Sequence, residues 1–209
     1  MSPRELLLRY LRECPLVGII RGVTPDEAEA IGEAIYEGGI RIIEVPLNSP
    51  DPLKSIERLA KRFDDRVLVG AGTVLDPADV GRVRDAGGRI IVSPDTNIEV
   101  IGATAKAGLV ASPGYFTPSE AFAAIGAGAA GLKLFPAEAA TPAVLKSQRA
   151  VIPNEVPILV VGGVKPDSMK PWLEAGATGF GLGGGLYQPG QSAEETRAKA
   201  RAYVTGLEV

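Results

Sequence analysis

The sequence predicts an α/β fold in which eight parallel strands and their helices close into a compact (β/α)8 barrel, the TIM-barrel architecture, as a single domain over residues 1–209. Two observations support this prediction: short β-branched runs recur along the chain, and Ala- and Glu-rich segments with helical spacing separate them. The alternative, a doubly wound sheet, usually has fewer strands and a topological switch point. The chain lies near the low end of the barrel size range, so we expect short loops and a site built mostly from strand ends.

The predicted strands are short apolar runs, many of them β-branched, and most end at glycine, proline or a polar residue. They cover residues 17–21, 42–47, 67–73, 90–94, 109–113, 131–136, 158–163 and 179–184. Successive side chains of a strand point to opposite faces, so alternate residues face the interior of a barrel. This alternation identifies the polar side chains that enter the interior.

Polar residues followed by proline mark the predicted helix starts, because a polar N-cap and a proline at the first helical position favour that boundary. The pairs are Thr24-Pro25, Asp51-Pro52, Asp76-Pro77, Thr117-Pro118 and Thr141-Pro142. The first 16 residues, MSPRELLLRYLRECPL, predict an amino-terminal amphipathic helix. Arginines interrupt its apolar run, which argues against a signal peptide or a membrane span.

Composition excludes several kinds of chemistry. The chain has no histidine, which removes His-dependent nucleophilic catalysis and His-ligated zinc, so proton transfer must use Glu, Asp, Lys, Tyr or water. Its single cysteine, Cys14, cannot form an internal disulfide or a Cys-rich metal cluster, and favours a reducing, cytoplasmic location. The net charge of -3 is spread without blocks, which argues against nucleic acid or an anionic membrane as partner.

Lys133 is the first candidate for a catalytic residue. It lies in GAAGLKLFPAE, where it shares the interior face with Gly131 and Phe135 while Leu132 and Leu134 point outward. Desolvation lowers the pKa of a buried lysine, and a neutral amine is a nucleophile toward carbonyl groups. The alternative is a lysine at a strand end that reaches water and has no catalytic role.

Glu44 is the second candidate, because it shares the interior face of its strand with Ile42 and Pro46. An amine beside a carboxylate supplies the nucleophile and the acid/base that Schiff-base formation requires. A buried salt bridge from Glu44 to Lys133 or Arg21 is the structural alternative, although such pairs are weak evidence for stability.

Further candidates lie at other strand ends. Arg21 ends the first predicted strand and Thr73 the third, which places a guanidinium suited to a carboxylate and a hydroxyl at the same mouth. Glycine pairs in VVGGV and GLGGGL end the seventh and eighth, where barrels of this type often bind phosphate through backbone N–H groups. Surface charge, helix capping and simple turns are the alternative roles. Together the residues predict a site for an anionic oxo acid with a phosphate at its far end.

The motifs IIRGVTPDEA, IIEVPLNSP, VGAGTV, GLKLFPAE, VVGGV and GLGGGLYQPGQS, in this order and over nearly the whole chain, resemble the class I 2-keto-3-deoxy-6-phosphogluconate and 2-keto-3-deoxy-6-phosphogalactonate aldolases. The resemblance implies a (β/α)8 barrel, typically a homotrimer, that uses no metal or other cofactor. It also implies cleavage of a phosphorylated 2-keto-3-deoxy sugar acid to pyruvate and D-glyceraldehyde 3-phosphate.

The family's roles carry over by position. Lys133 resembles the Schiff-base lysine, Glu44 the acid/base and Thr73 the pyruvate carboxylate contact. The phosphate-binding glycines of the family match Gly162, Gly163, Gly183 and Gly184. A serine is often seen at the position of Gly184, so one oxygen contact is lost here or supplied by backbone.

The galactonate branch resembles this chain more closely than the gluconate branch. In the gluconate branch an arginine that holds the carboxylate occupies the place of Asn48, so the resemblance suggests Arg21 as the carboxylate partner here. Val161 replaces a threonine, which removes a hydroxyl and is expected to alter recognition of the C4 configuration. The resemblance therefore implies a 2-dehydro-3-deoxy-6-phosphogalactonate aldolase, with the phosphogluconate aldolase as the alternative.

Two other functions fit the same residues less well. A phosphosugar isomerase or epimerase would use Glu44 as base and Lys133 only for electrostatics, and would form no covalent adduct. A non-catalytic sensor of a phosphorylated sugar acid would need Arg21 and the glycines but not the Lys-Glu pair.

Overall fold

A computed structural model describes residues 1–207 and confirms the predicted barrel of parallel strands. Its strands are β1 Leu16–Ile19, β2 Ile42–Pro46, β3 Leu68–Gly72, β4 Ile90–Val92, β5 Val110–Ser112, β6 Gly114–Tyr115, β7 Leu132–Leu134, β8 Ile158–Val161 and β9 Gly179–Leu182. Neighbours follow the order β5-β4-β3-β2-β1-β9-β8-β7-β6, and every pairing is parallel.

The fifth predicted strand, residues 109–113, contains β5 alone, and the short segment β6 follows it directly, so the barrel has nine strand segments instead of eight. Pro113 separates β5, which pairs with β4, from β6, which pairs with β7. A proline lacks the N–H that a continuous ladder requires. Its carbonyl still accepts a 2.8 Å hydrogen bond from the Lys133 amide, so residues 110–115 join the two edges of the barrel.

Within residues 1–207 nine α-helices surround the strands. They are α1 Pro3–Glu13, α2 Pro25–Glu37, α3 Pro52–Phe63, α4 Pro77–Asp85, α5 Ile98–Lys106, α6 Pro118–Gly126, α7 Pro142–Arg149, α8 Lys170–Glu174 and α9 Ala193–Thr205. Every predicted polar-proline pair opens a helix, with the proline in its first turn. In the part of the chain described, no helix combines the length and the apolar character needed to cross a membrane.

Asp51 departs from the expected capping geometry. Its φ of 41° lies in the left-handed region, which aspartate tolerates better than most residues, whereas an N-cap has extended backbone. The side chain accordingly makes no cap hydrogen bond, although α3 begins at the predicted proline.

Helix α1 closes the amino-terminal end of the barrel. Leu7, Tyr10 and Leu11 are buried in one cluster with the interior side chains of the strands. The Tyr10 hydroxyl donates a 2.8 Å hydrogen bond to the Asp65 carbonyl, and the Arg4 guanidinium donates to carbonyl oxygens before β7. The carboxyl ends of the strands are therefore the end at which a ligand can enter.

Candidate active site

Lys133 and Glu44 enter the barrel interior from opposite walls. Lys133 lies in β7 and Glu44 in β2, and β1, β9 and β8 separate these strands in the sheet. Lys133 is 7% exposed and Glu44 2%, while Leu132 and Leu134 pack outward with the helices, as the alternation predicted. Two ionisable groups thus lie in a mainly apolar interior.

Burial dominates the titration of both groups. It raises the pKa of Glu44 to about 7, an effect that the charges of Lys133 and Arg21 oppose. Burial also lowers the pKa of Lys133, while the nearby Glu44 acts in the opposite direction. Both side chains are thereby tuned toward proton exchange nearer neutral pH.

The environment of the pair does not fit a structural salt bridge. Among residues 1–207 no ion pair includes Glu44, and its Oε2 atom is buried with no hydrogen-bond partner in the protein. The Lys133 Nζ instead lies 4.7 Å from the centroid of the Phe135 ring. A buried, unpaired carboxylate oxygen costs stability and is typical of a functional site.

Gly72 determines where the Glu44 carboxylate can lie. A β-carbon built on Gly72, in the neighbouring strand β3, would overlap both carboxylate oxygens of Glu44. This glycine was not among the residues predicted for the site. Its position in VGAGTV, directly before Thr73, is the sequence feature that indicates it.

Arg21 and Thr73 lie together at the mouth, held partly by Asn48. The Arg21 Nη1 donates a 2.6 Å hydrogen bond to Asn48 Oδ1, and Nη2 donates a 3.4 Å hydrogen bond to Thr73 Oγ1. Thr73 has a φ of 56°, a conformation that is costly for a β-branched residue and is often associated with functional sites. The three side chains form a polar edge suited to a carboxylate.

Two glycine loops, which follow β8 and β9, form another part of the mouth. Gly162 and Gly163, which follow β8, have φ values of 120° and 63° that favour glycine, and Gly183 and Gly184 follow β9 with no atom near the position of an added β-carbon. Within residues 1–207 the N–H groups of Gly163 and Gly184 donate to no protein acceptor. Unpaired backbone donors can bind an anion closely, with open space beside Gly184 and the Glu138 side chain beside Gly163.

One cavity of about 410 Å³ contains the whole predicted set. All nine predicted residues line it: Arg21, Glu44, Thr73, Lys133, Val161, Gly162, Gly163, Gly183 and Gly184. Its volume lies in the range of small-molecule sites. Several further residues that were not predicted for the site also line the cavity, among them Glu138, whose side chain lies against Gly162 and Gly163.

Carbonyl chemistry fits such a cavity, since an uncharged lysine can attack a carbonyl carbon while a carboxyl group moves the protons. Among barrel enzymes this combination is typical of the class I aldolases. Residues 8–199 match the sequence model of the KDPG and KHG aldolase family. The chain belongs to this family, which confirms the resemblance seen in the motifs and makes it a carbon–carbon lyase by family.

Within this family, two proteins of the phosphogalactonate type are similar to the chain over most of its length. The chain is 47% identical over 190 residues to a probable 2-dehydro-3-deoxy-6-phosphogalactonate aldolase of Rhizobium meliloti (strain 1021), covering 91% of this chain and 90% of that protein. It is 41% identical to a solved structure described as "Native KDPGal structure", with a TM-score of 0.92 over 94% of this chain and 95% of that one.

A more distant structure holds a reaction intermediate. It is the KDPG aldolase from Legionella pneumophila with pyruvate captured as a covalent carbinolamine, and it is 28% identical to this chain. The TM-score is 0.82, over 98% of each chain. Similarity is thus greater to the galactonate-type proteins than to this gluconate-type structure.

Proposed function

We propose that the chain is a 2-dehydro-3-deoxy-6-phosphogalactonate aldolase, which cleaves its substrate to pyruvate and D-glyceraldehyde 3-phosphate. The observation that carries the proposal is the meeting of Lys133 and Glu44, from opposite walls, in one cavity with a polar edge and a glycine edge. The 47% identity to a protein described as acting on the galactonate substrate supports the choice of epimer.

In the proposed mechanism the neutral amine of Lys133 attacks the C2 ketone of the substrate. Its lowered pKa supports this role, because a larger fraction of the amine is uncharged at neutral pH. Glu44 moves protons as the carbinolamine forms and loses water to give a protonated imine. The carbinolamine of the Legionella pneumophila protein is the corresponding adduct with pyruvate in a relative.

Bond cleavage follows from the imine. Glu44, directly or through water, removes the proton of the C4 hydroxyl, and the C3–C4 electron pair moves to the iminium to give an enamine. The aldehyde leaves, the enamine is protonated at C3, and hydrolysis frees pyruvate and Lys133. A pKa of about 7 suits a carboxyl group that must both take and give a proton.

The two edges of the cavity orient the substrate in this proposal. Arg21 and Thr73 bind the carboxylate next to the ketone, and the glycines of the two loops bind the phosphate at the other end. Val161 contacts the middle of the substrate and takes part in reading the C4 configuration. A 2-dehydro-3-deoxy-6-phosphogluconate aldolase is the alternative within the same mechanism.

The proposal also includes a homotrimer that acts in the cytoplasm without a metal or other cofactor. The proposed interface is expected to bury some of the exposed large apolar side chains, such as Leu75, Ile98 and Phe122. Light scattering of the purified protein measures the number of chains in the particle.

The first test is intact-protein mass after incubation with pyruvate and borohydride, with peptide mapping of the modified residue. We expect one reduced pyruvyl adduct, on Lys133, which Lys133→Met abolishes. Lys106→Met, at an exposed lysine of α5, is the control and is expected to keep the adduct. Folded protein without an adduct would favour the isomerase or the sensor.

The choice of epimer needs a second measurement. Initial cleavage rates with the 6-phosphogalactonate-derived and the 6-phosphogluconate-derived substrates give the ratio of their kcat/KM values. We expect the galactonate epimer to be preferred, and a preference for the other epimer would replace the proposal with its alternative.

A further inference from the structure

The hydroxyl of Tyr203 lies between the two glycine loops. Tyr203 belongs to α9 and is 3% exposed. Its Oη donates a 2.8 Å hydrogen bond to the carbonyl of Val164, directly after Gly162 and Gly163. On its other side the same oxygen lies so close to Gly185 that an added β-carbon there would overlap it. Val164 and Gly185 both line the cavity.

This contact joins two loops that follow neighbouring strands. The loop of Gly162–Val164 follows β8 and the loop of Gly183–Gly185 follows β9, and the strands are paired only up to the start of these loops. Beyond that point no hydrogen bond between backbone atoms links the two loops among residues 1–207. A buried hydroxyl bonded to one loop and packed on the other therefore defines their separation.

The hydroxyl remains a donor over a wide pH range. Burial raises the pKa of Tyr203, and the negative charge of Asp167 acts in the same direction. The hydroxyl has one proton, and the Val164 carbonyl accepts it. The contact of this oxygen with Gly185 is therefore a van der Waals contact and not a hydrogen bond. Only glycine at position 185 leaves room for the oxygen.

We propose that Tyr203 is a positioning residue for phosphate recognition, which sets the spacing between the two glycine loops so that their N–H groups converge on one phosphate. The inference rests on the proposed function, in which these loops bind the phosphate. Tyr203 itself does not touch substrate, and the chemistry at Lys133 does not depend on it.

The first experiment compares Tyr203→Phe with Tyr10→Phe in the synthetic direction. Tyr10 is the control, because its hydroxyl also donates a 2.8 Å hydrogen bond to a carbonyl, and in addition accepts one from Arg89, but lies at the closed end of the barrel. With pyruvate fixed, we expect Tyr203→Phe to raise KM for D-glyceraldehyde 3-phosphate about three- to tenfold, the worth of one hydrogen bond. KM for unphosphorylated D-glyceraldehyde is expected to stay within a factor of about two.

The result for the control decides between positioning and general stability. Tyr10→Phe is expected to lower the thermal midpoint like Tyr203→Phe while leaving both KM values unchanged. An equal change with both aldehydes in Tyr203→Phe, or no change with either, would overturn the inference.

The second experiment uses the overlap with Gly185. In Gly185→Ala the new methyl group meets the Tyr203 oxygen, so we expect KM for D-glyceraldehyde 3-phosphate to rise more than in Tyr203→Phe. The ring carbon Cζ lies 3.5 Å from the same position, an ordinary contact. In the double variant Gly185→Ala with Tyr203→Phe, KM for D-glyceraldehyde 3-phosphate is therefore expected to be lower than in Gly185→Ala alone. Absence of any recovery would contradict the proposed contact.

Failure of this inference is distinguishable from failure of the proposed function. If the wild-type protein gave no borohydride-trapped adduct, or used both aldehydes equally well, the proposed function would fail and this inference with it. If the wild-type protein traps pyruvate and prefers the phosphorylated aldehyde but Tyr203→Phe keeps that preference, only the role of Tyr203 is wrong.

Discussion

The carboxylate of Glu44 fills the space that a side chain at Gly72 would occupy, so the glycine of β3 and the glutamate of β2 form one structural unit. The carboxylate is the far end of a flexible side chain that lines the cavity, so a β-carbon on residue 72 would displace it from its present place. The position of the proposed acid/base thus depends on the absence of a β-carbon in the neighbouring strand.

Gly72→Ala is expected to displace the Glu44 carboxylate and to lower kcat for cleavage by about 100-fold, since misplacement of a catalytic group by roughly 1 Å has effects of that size. Steady-state cleavage rates measure the change. Gly102→Ala is the control, because an added β-carbon at this glycine of α5 meets no atom. Wild-type kcat in Gly72→Ala would show that the glutamate position does not matter.

Glu44→Gln is expected to change how stability depends on pH. Burial raises the pKa of Glu44 from its ordinary value of 4.5 to about 7. Below pH 4.5 the Glu44 carboxyl is protonated in the folded and in the unfolded state, so its ionisation does not affect the free energy of unfolding. As the pH rises through this window, the unfolded state releases its proton first, so the folded state loses stability.

The predicted difference between wild type and Glu44→Gln therefore grows from pH 4.5 to pH 7 and then stays constant. Its full size is on the order of 3 kcal/mol in favour of the variant. Urea unfolding at pH 4.5 and pH 8 measures it. Glu155→Gln, at an exposed glutamate, is the control. Parallel stability curves for wild type and Glu44→Gln would rule out a raised pKa.

Asn48→Ala is expected to release the Arg21 guanidinium and raise KM for pyruvate in the synthetic direction by about tenfold, because a charge-assisted hydrogen bond is lost. KM for the aldehyde is expected to change little, since Asn48 contacts Arg21 and not the glycine loops. Asn154→Ala, at an exposed asparagine, serves as control. An unchanged KM for pyruvate would separate Asn48 from carboxylate binding.

Val161→Thr adds a hydroxyl to the cavity at the position where the gluconate branch has threonine. We expect the ratio of kcat/KM for the two C4 epimers to shift toward the gluconate substrate by about tenfold. Val160→Thr is a demanding control, because the neighbouring valine is buried on the outward face of the same strand. A similar shift in both variants would mean that the hydroxyl acts through stability, not recognition.

Much of the site could be predicted because the relevant patterns are local. Strand alternation placed Lys133 and Glu44 on the interior face, and both lie there. Proline after a polar residue located helix starts within a residue. Each of these inferences needs only a few neighbouring residues and the period of a strand or the geometry of a helix end.

Other features depend on which strands become neighbours. The Arg21–Asn48 hydrogen bond joins residues 27 positions apart, and the Tyr203–Val164 bond joins residues 39 apart. The overlap of Gly72 with Glu44 depends on the register of β2 against β3. The break between β5 and β6 at Pro113 appears only when the two segments pair with different neighbours.

By itself, the sequence determined the barrel class, the inward direction of the lysine and glutamate, and the family. Only the tertiary structure decided that the two groups share one cavity without an ion pair, that Asn48 holds Arg21, and that Tyr203 lies between the glycine loops. The physical reason is that side-chain direction follows from local backbone geometry, whereas distances across a barrel follow from strand register and closure, which the whole chain sets together.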